Sequence, residues 1–431
     1  MWLLLACTTP PTEPAPEPAP PPPDIVLVVV DTLRGDHLGF MGHPRPTSPN
    51  LDALAAQGTV YANAMAHSGW TLPATASLLS GALPHQHRAV SLAVDGPSAP
   101  VETSFGRLSE TVETLAEAAS RHGYATGAFV NNTFLQPGSG LERGFSTYDY
   151  QPANPVQHRS AEATVDQALA WWEAQSSPRL LWVHVMEPHM DYAAPEPYRG
   201  RFTEGPTPLP DPMTDEARKE FMENPQVVTE PQKAWLPRAY DEEILATDAA
   251  LGRLLEGVQG SVVAFTSDHG EEFWEHGAFE HGHSLHWEVL HVPMLLVGPD
   301  IPVQRVPELS SHLDLHAALL RAMGGGSAWQ PLPAGRTLVA EDCLHSDPQV
   351  AVVTDTARLH VNLETQDASL WSWDGQRETL WNDKGARDQV AGPLFEALMT
   401  QRGSLERSVG QPFELTDEDR ERLKALGYLD E

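Results

Sequence analysis

Apolar residues along the chain fall into two alternating patterns. Short, nearly unbroken runs occur at Ile25–Val30, Ala125–Val130, Leu180–Val185, Val262–Phe265 and Val292–Val297. A continuous apolar run of this length is what a strand buried on both faces requires. Among these runs lie stretches with helical spacing at 49–57, 109–121, 160–175 and Asp241–Leu255. Strands separated by helices predict an α/β domain: a large, mostly parallel central sheet flanked by helices. Residues 195–238, rich in Pro and charge, read as a long excursion from it. The texture changes after Gly324-Gly325-Gly326. There QVAVVTDT, RLHVNLE and SLWSWDG read as antiparallel strands and ELTDEDRERLKALGYL as an amphipathic helix. The pattern divides the chain into an N-terminal segment 1–23, a main domain 24–325 and a small C-terminal sheet-plus-helix subdomain 326–431. No internal repeat is visible.

Charge narrows the function classes. Against 59 acidic residues stand 27 basic ones, a net charge of −32. Nucleic acid and electrostatic docking on anionic lipid both need basic patches, so neither is an expected partner. An anionic ester substrate remains compatible, because a bound metal ion reverses the field locally. The two cysteines, Cys7 and Cys343, cannot form a disulfide framework. Leu3-Leu4-Leu5-Ala6 leading into Cys7 resembles the lipobox of bacterial lipoproteins, followed by a Pro-rich spacer suited to tethering. The expectation is a lipid anchor on Cys7, the only membrane contact, and a cell-envelope location, periplasmic or on the outer surface.

Candidate chemistry gathers at strand ends, where parallel sheets place their sites. The first run ends in Asp31, a later one in Asp268-His269, and a third contains His184 and leads into Glu187-Pro188-His189. Asp31, Asp268 and His269 form a mixed oxygen and nitrogen ligand set for one divalent ion. Six of the 19 histidines (His269, His276, His281, His283, His286 and His291) follow closely on that second strand end. A metal- and anion-binding loop explains them better than a solvated surface does. Thr71, in HSGWTLPATASLLSG, admits two readings: a helix cap, or a nucleophile at the electropositive end of a helix.

Taken together, these pieces resemble the sulfatases of the alkaline phosphatase superfamily. The resemblance runs from Asp24 to Leu429 and rests on IVLVVVDTLRGDHLG, PTSPNLDALAAQGTVYANA, TLPATASLLSG, GYATGAFV, LERGFSTYD, HVMEPHMDY, SDHGEEFWEHG and HGHSLHWEVLHVPMLLVGP, in the family's order. It implies an alkaline-phosphatase-like fold and one divalent metal ion (Ca, Mn, Zn or Mg). Asp31, Asp268, His269 and Thr71 would hold that ion. His189 and either His281 or His283 would contact the ester or protonate the leaving oxygen.

Thr71 falls where sulfatases carry the Cys or Ser that becomes formylglycine. The C/S-x-P-x-R signature is replaced by Thr71-Leu-Pro-Ala-Thr75, and the second Asp of the first-strand pair by Thr32. The cations expected after GYATG are replaced around Val130-Asn131-Asn132. Thr is, however, the nucleophile in phosphoryl-handling relatives. The resemblance therefore implies a metal-dependent hydrolase of sulfate or phosphate mono- or diesters with Thr71 as nucleophile. The alternatives are a phospho-group transferase acting on envelope glycans or lipids, and an inactive sulfatase-fold binding protein.

Overall fold

The computed structural model describes residues 21–92, 104–151, 159–209, 221, 224–374, 377–408 and 410–425. Cys7 and the apolar run before it lie outside these residues. Eight strands form the main sheet: β1 Ile25–Val30, β2 Thr59–Met65, β3 Ala125–Val130, β4 Thr147–Tyr150, β5 Arg179–Val185, β6 Val262–Ser267, β7 Met294–Val297 and β8 Gln304–Ser311. Their spatial order is β8-β2-β7-β6-β1-β5-β3-β4. Only β7 runs against its neighbours.

β1 lies between β5 and β6, parallel to both, with Val29 opposite His184 and Val30 opposite Ser267. That register is what delivers Asp31, Asp268 and the chain after His184 to one edge of the sheet. All six β1 residues are essentially buried, and the strand's period of two splits them. Ile25, Leu27 and Val29 face one core layer, which includes residues of α2 (Thr71–Ser80) and α6 (His312–Met323). Val26, Val28 and Val30 face the other, which includes residues of α4 (Ala161–Ala174) and α5 (Glu230–Gly257). Burial of each such side chain contributes about 1.5–3 kcal/mol relative to exposure. The sheet is thus covered on both faces, which is why its strands read as unbroken apolar runs.

Among the described residues the main domain also holds α1 (Pro49–Ala55), α3 (Leu115–Arg121) and single helical turns at Pro84–His87 and Trp287–Leu290. The helix expected over 109–121 starts only at Leu115, because Thr114 and Glu117 form a reciprocal cap (Glu117 N to Thr114 Oγ1 3.1 Å, Thr114 N to Glu117 Oε2 2.9 Å). The excursion expected to reach residue 238 ends sooner, since α5 begins at Glu230, with Pro231 in its first turn and Pro237 inside it. β2 and β8 were not legible as strands; β8 is an edge strand broken in register between Val306 and Leu309, around Pro307.

The C-terminal residues form an antiparallel meander of β9 Leu338–Glu341, β10 Gln349–Val353, β11 Ala357–Asn362, β12 Ala368–Trp373 and β13 Glu378–Leu380. The unanticipated α7 (Lys384–Arg402) packs on β10 and β11, and α8 covers Asp417–Ala425. No helix among the described residues is long and apolar enough to cross a membrane.

Candidate active site

Thr71 is the first residue of α2, not its cap. The preceding residue, Trp70, is extended (φ −157°), and no side chain caps the helix. Trp70 is fully buried, meets Phe134 edge-on at 5.2 Å and donates from its indole nitrogen to Asp342 Oδ2 at 3.2 Å. Gly69 lets the chain pass the 281–286 loop, because a Cβ there would lie 2.7 Å from the Ser284 carbonyl oxygen. With its backbone so fixed, Thr71 turns its hydroxyl to the sheet edge. Oγ1 lies 3.3 Å from His269 Nε2 and accepts from Asn132 Nδ2 at 3.2 Å. The same amide donates to Asp31 Oδ2 at 2.7 Å, so Asn132 ties the hydroxyl to the carboxylate.

Asp31, Asp268 and His269 offer ligand atoms that all lie within 4.8 Å of one another, and all three residues are buried. Asp268 Oδ1 accepts from the backbone N–H groups of Thr32 (3.1 Å) and His269 (2.8 Å). Thr32 itself holds a left-handed φ of 55°, a strained conformation for a β-branched residue. His269 Nδ1 lies 2.9 Å from the Gly270 carbonyl, which fixes the tautomer and leaves Nε2 as an acceptor facing Asp31 Oδ1 (3.7 Å) and Asp268 Oδ2 (3.5 Å). Those two oxygens are buried without a hydrogen-bond partner among the described residues, as is Nε2 of His184, which lies 3.7 Å from Asp31 Oδ2. Burial, and then the charge of Asp268, push the Asp31 carboxyl well above its ordinary range. Burial acts on Asp268 too, but the neighbouring His269 and His184 rings and the His269 backbone N–H outweigh it and hold that carboxyl low. Orphaned carboxylate oxygens and imidazole nitrogens converging on one point are the donor set a divalent cation completes.

Around this set stand two more histidines. His281 lies 4.5 Å from the His269 ring and 5.1 Å from the His189 ring, centroid to centroid. His281 Nδ1 lies 2.8 Å from Glu271 Oε1, and Glu271 Oε2 in turn accepts from the Tyr192 hydroxyl at 3.1 Å. His189 Nδ1 is 3.0 Å from the Met190 carbonyl. The structure thus brings Asp31, Thr71, His189, Asp268, His269 and His281 together. His283 is directed elsewhere, to Glu272 Oε2 at 3.1 Å. Asn132 and Glu271 escaped the sequence reading. Asn132 followed a strand end but counted there only as a missing cation, and Glu271 stood unremarked two residues after His269.

Over residues 23–325 the chain matches the model of the family described as Sulfatase. The chain belongs to the sulfatase family. A curated relative, the ulvan-active sulfatase of Formosa agariphila, is 25% identical over 323 residues, covering 66% of this chain and 57% of that protein. Arylsulfatase K of Canis lupus familiaris is 23% identical over 363 residues, covering 72% of this chain and 64% of that protein. The chain therefore spans less than two thirds of the length of these curated relatives. Among solved structures, a 2-O GAG sulfatase superposes with a TM-score of 0.70 at 19% identity, over 93% of this chain and 99% of that one. The phosphonate monoester hydrolase of Agrobacterium radiobacter does so with a TM-score of 0.68 at 19% identity, over 92% and 98%. Within this sulfatase fold, the orphaned carboxylates and Thr71 occupy the carboxyl edge of the parallel strands.

Proposed function

We propose that the chain is a metal-dependent hydrolase of sulfate or phosphoryl esters and that Thr71 is its nucleophile. The observation that carries this reading is the Thr71 hydroxyl, 3.3 Å from His269 Nε2 and joined through Asn132 to Asp31. Asp31, Asp268 and His269 would hold one divalent cation, with Thr71 beside it. Such a cation supplies the positive charge that lowers a hydroxyl pKa and offsets the charge of the ester.

The chain's own residues account for the other roles. Asn132 donates to Thr71 Oγ1, so the hydroxyl proton is turned away from it, toward His269 and the two carboxylates. Oγ1 gives up that proton to solvent, a bond forms from Oγ1 to sulfur or phosphorus, and the bond to the leaving oxygen breaks. His281, oriented by Glu271, gives that oxygen its proton, and His189, its ring 5.1 Å from that of His281, is a second contact for the ester. Water then attacks the same sulfur or phosphorus, returning a proton to His281 and freeing Thr71. The N-terminal N–H groups of α2 add a favourable dipole for the anionic centre.

Anchoring through Cys7 at the cell envelope is a further part of the proposal, supported by the LLLAC run. Membrane fractionation of the wild type and Cys7→Ala tests it. The activity is tested by assaying aryl sulfate, aryl phosphate, phosphodiester and phosphonate esters, each with Ca, Mn, Zn or Mg. Turnover that Thr71→Ala lacks supports the reading. Turnover no greater than that of Thr71→Ala in every pairing refutes it.

A further inference from the structure

The histidines that the proposed chemistry leaves unused are gathered in a second place. His276 and His286 stack face to face, their ring centroids 3.6 Å apart, at the junction of the 271–290 loop and the C-terminal sheet. Glu378, the first residue of β13, reaches both: its Oε2 is 2.8 Å from His286 Nδ1 and 3.7 Å from His276 Nε2. The three ligand atoms lie within 4.8 Å of one another. Glu288 Oε2 stands 3.0 Å from His276 Nε2, next to the set.

A further unpartnered imidazole stands beside this group. His360, on β11, is buried, its ring centroid is 5.0 Å from that of His286, and its Nε2 has no hydrogen-bond partner among the described residues. The group borders a cavity of about 790 Å³ lined also by Arg34, Trp287 and Trp373, so an ion has room to enter.

We propose that His276, His286 and Glu378 form a second divalent-metal site, distinct from the one at Asp31, once the two stacked rings turn to bring their in-plane lone pairs onto one ion. Two imidazoles and one carboxylate are borderline donors that suit zinc and its neighbours better than calcium or magnesium. Charge favours occupancy. The carboxylates of Glu272, Glu288 and Glu378 act on His276, against two guanidiniums: Arg358, 2.9 Å from Glu378 Oε1 without the alignment of a hydrogen bond, and Arg34, which is already paired with Asp36 and Glu275. The Arg358 guanidinium is spread over the Trp287 and Trp373 rings, at 4.0 and 4.9 Å. The neighbouring latch of His37, His43 and Asp241 has similar donors, but there Arg45 already fills the place of the cation. An ion at the second site would staple the C-terminal sheet to the loop that carries Glu271 and His281.

The test is a calorimetric zinc titration of the chelator-stripped full chain at mildly alkaline pH. The wild type is expected to bind two zinc ions. His276→Gln and His286→Gln, both at partly exposed positions, should each bind one, with the second site weakened at least about 10-fold. Asp268→Asn should retain one, on the second site. Unchanged stoichiometry in both histidine variants, or no zinc bound by Asp268→Asn, overturns the proposal. Anomalous diffraction at the zinc edge from wild-type crystals needs no variant. A peak bounded by His276, His286 and Glu378 supports the site, and its absence in zinc-soaked crystals refutes it.

Discussion

Asp31 and Asp268 at the sheet edge, and Asp241 and Asp248 on α5, are four aspartates buried to nearly the same degree. Their oxygens are treated differently. Asp241 receives His37 Nδ1 at 2.6 Å on one oxygen, and His43 Nε2 at 3.1 Å with the Arg45 guanidinium on the other. Asp248 receives the backbone N–H groups of Asn50 (3.0 Å) and Leu51 (2.9 Å) and the Asn50 side chain (2.8 Å). These two pin the segment after β1, and then α1, onto α5. Asp31 and Asp268 each keep one oxygen without a hydrogen bond, although burying a bare carboxylate is costly. A buried carboxylate with every oxygen satisfied is a fastening, and one with an oxygen left open is available to a ligand. The distinction lies in the partners, not in the residue type or the burial.

The comparison breaks most sharply at Asp268. Asp268→Asn should abolish binding at the first metal site and lower turnover at least about 10³-fold. Stripped and metal-loaded samples of the variant, followed by calorimetry and by ester turnover, check both. His281→Gln should lower turnover by about 10²–10⁴-fold and flatten one limb of its pH profile. His283→Gln, removing a residue paired with Glu272, should leave turnover within about threefold of wild type.

Asp241→Asn should do the reverse of Asp268→Asn. It should cost about 3 kcal/mol of stability in denaturant unfolding, through His37 and Arg45 left with weakened partners, and keep the metal stoichiometry. The smallest effect is that of pH on this latch. Burial works against the Asp241 charge, but the hydrogen bonds from His37 and His43 bring its pKa down to about 2. A carboxyl depressed in the folded state contributes stability that is complete above its unfolded value, about 3.9, and is lost as pH falls toward 2. The stability gap between the wild type and Asp241→Asn, insofar as it comes from this carboxyl, should therefore be constant from pH 5 upward and narrow only below about pH 4.

Much of this was legible from residues alone, for physical reasons. A strand covered on both faces must be a continuous apolar run, and one that stops at an Asp announces an edge; this exposed β1 with Asp31 and β6 with Asp268-His269. β2 and β8 carry polar residues and Pro307 because they lie at the sheet margin, so they hid. His281 and His283 are separated by Gly282 at a φ of +80°, and only the path of that loop decides that His281 joins the site while His283 turns to Glu272. Asn132 and Glu271 act through partners distant in sequence, Asp31 and Thr71 for the first and His281 for the second. No local pattern carries that information. Thr71 changed most: its helix was foreseen, but its hydroxyl faces the sheet edge instead of capping the helix.

Rapid acid quench during turnover of a fast aryl ester, followed by peptide mass spectrometry, tests the nucleophile directly. A sulfuryl or phosphoryl group found on Thr71 of the wild type, and absent from Asp268→Asn, is the expected result. Sustained turnover with an unmodified Thr71, matched by an active Thr71→Ala variant, would contradict the account.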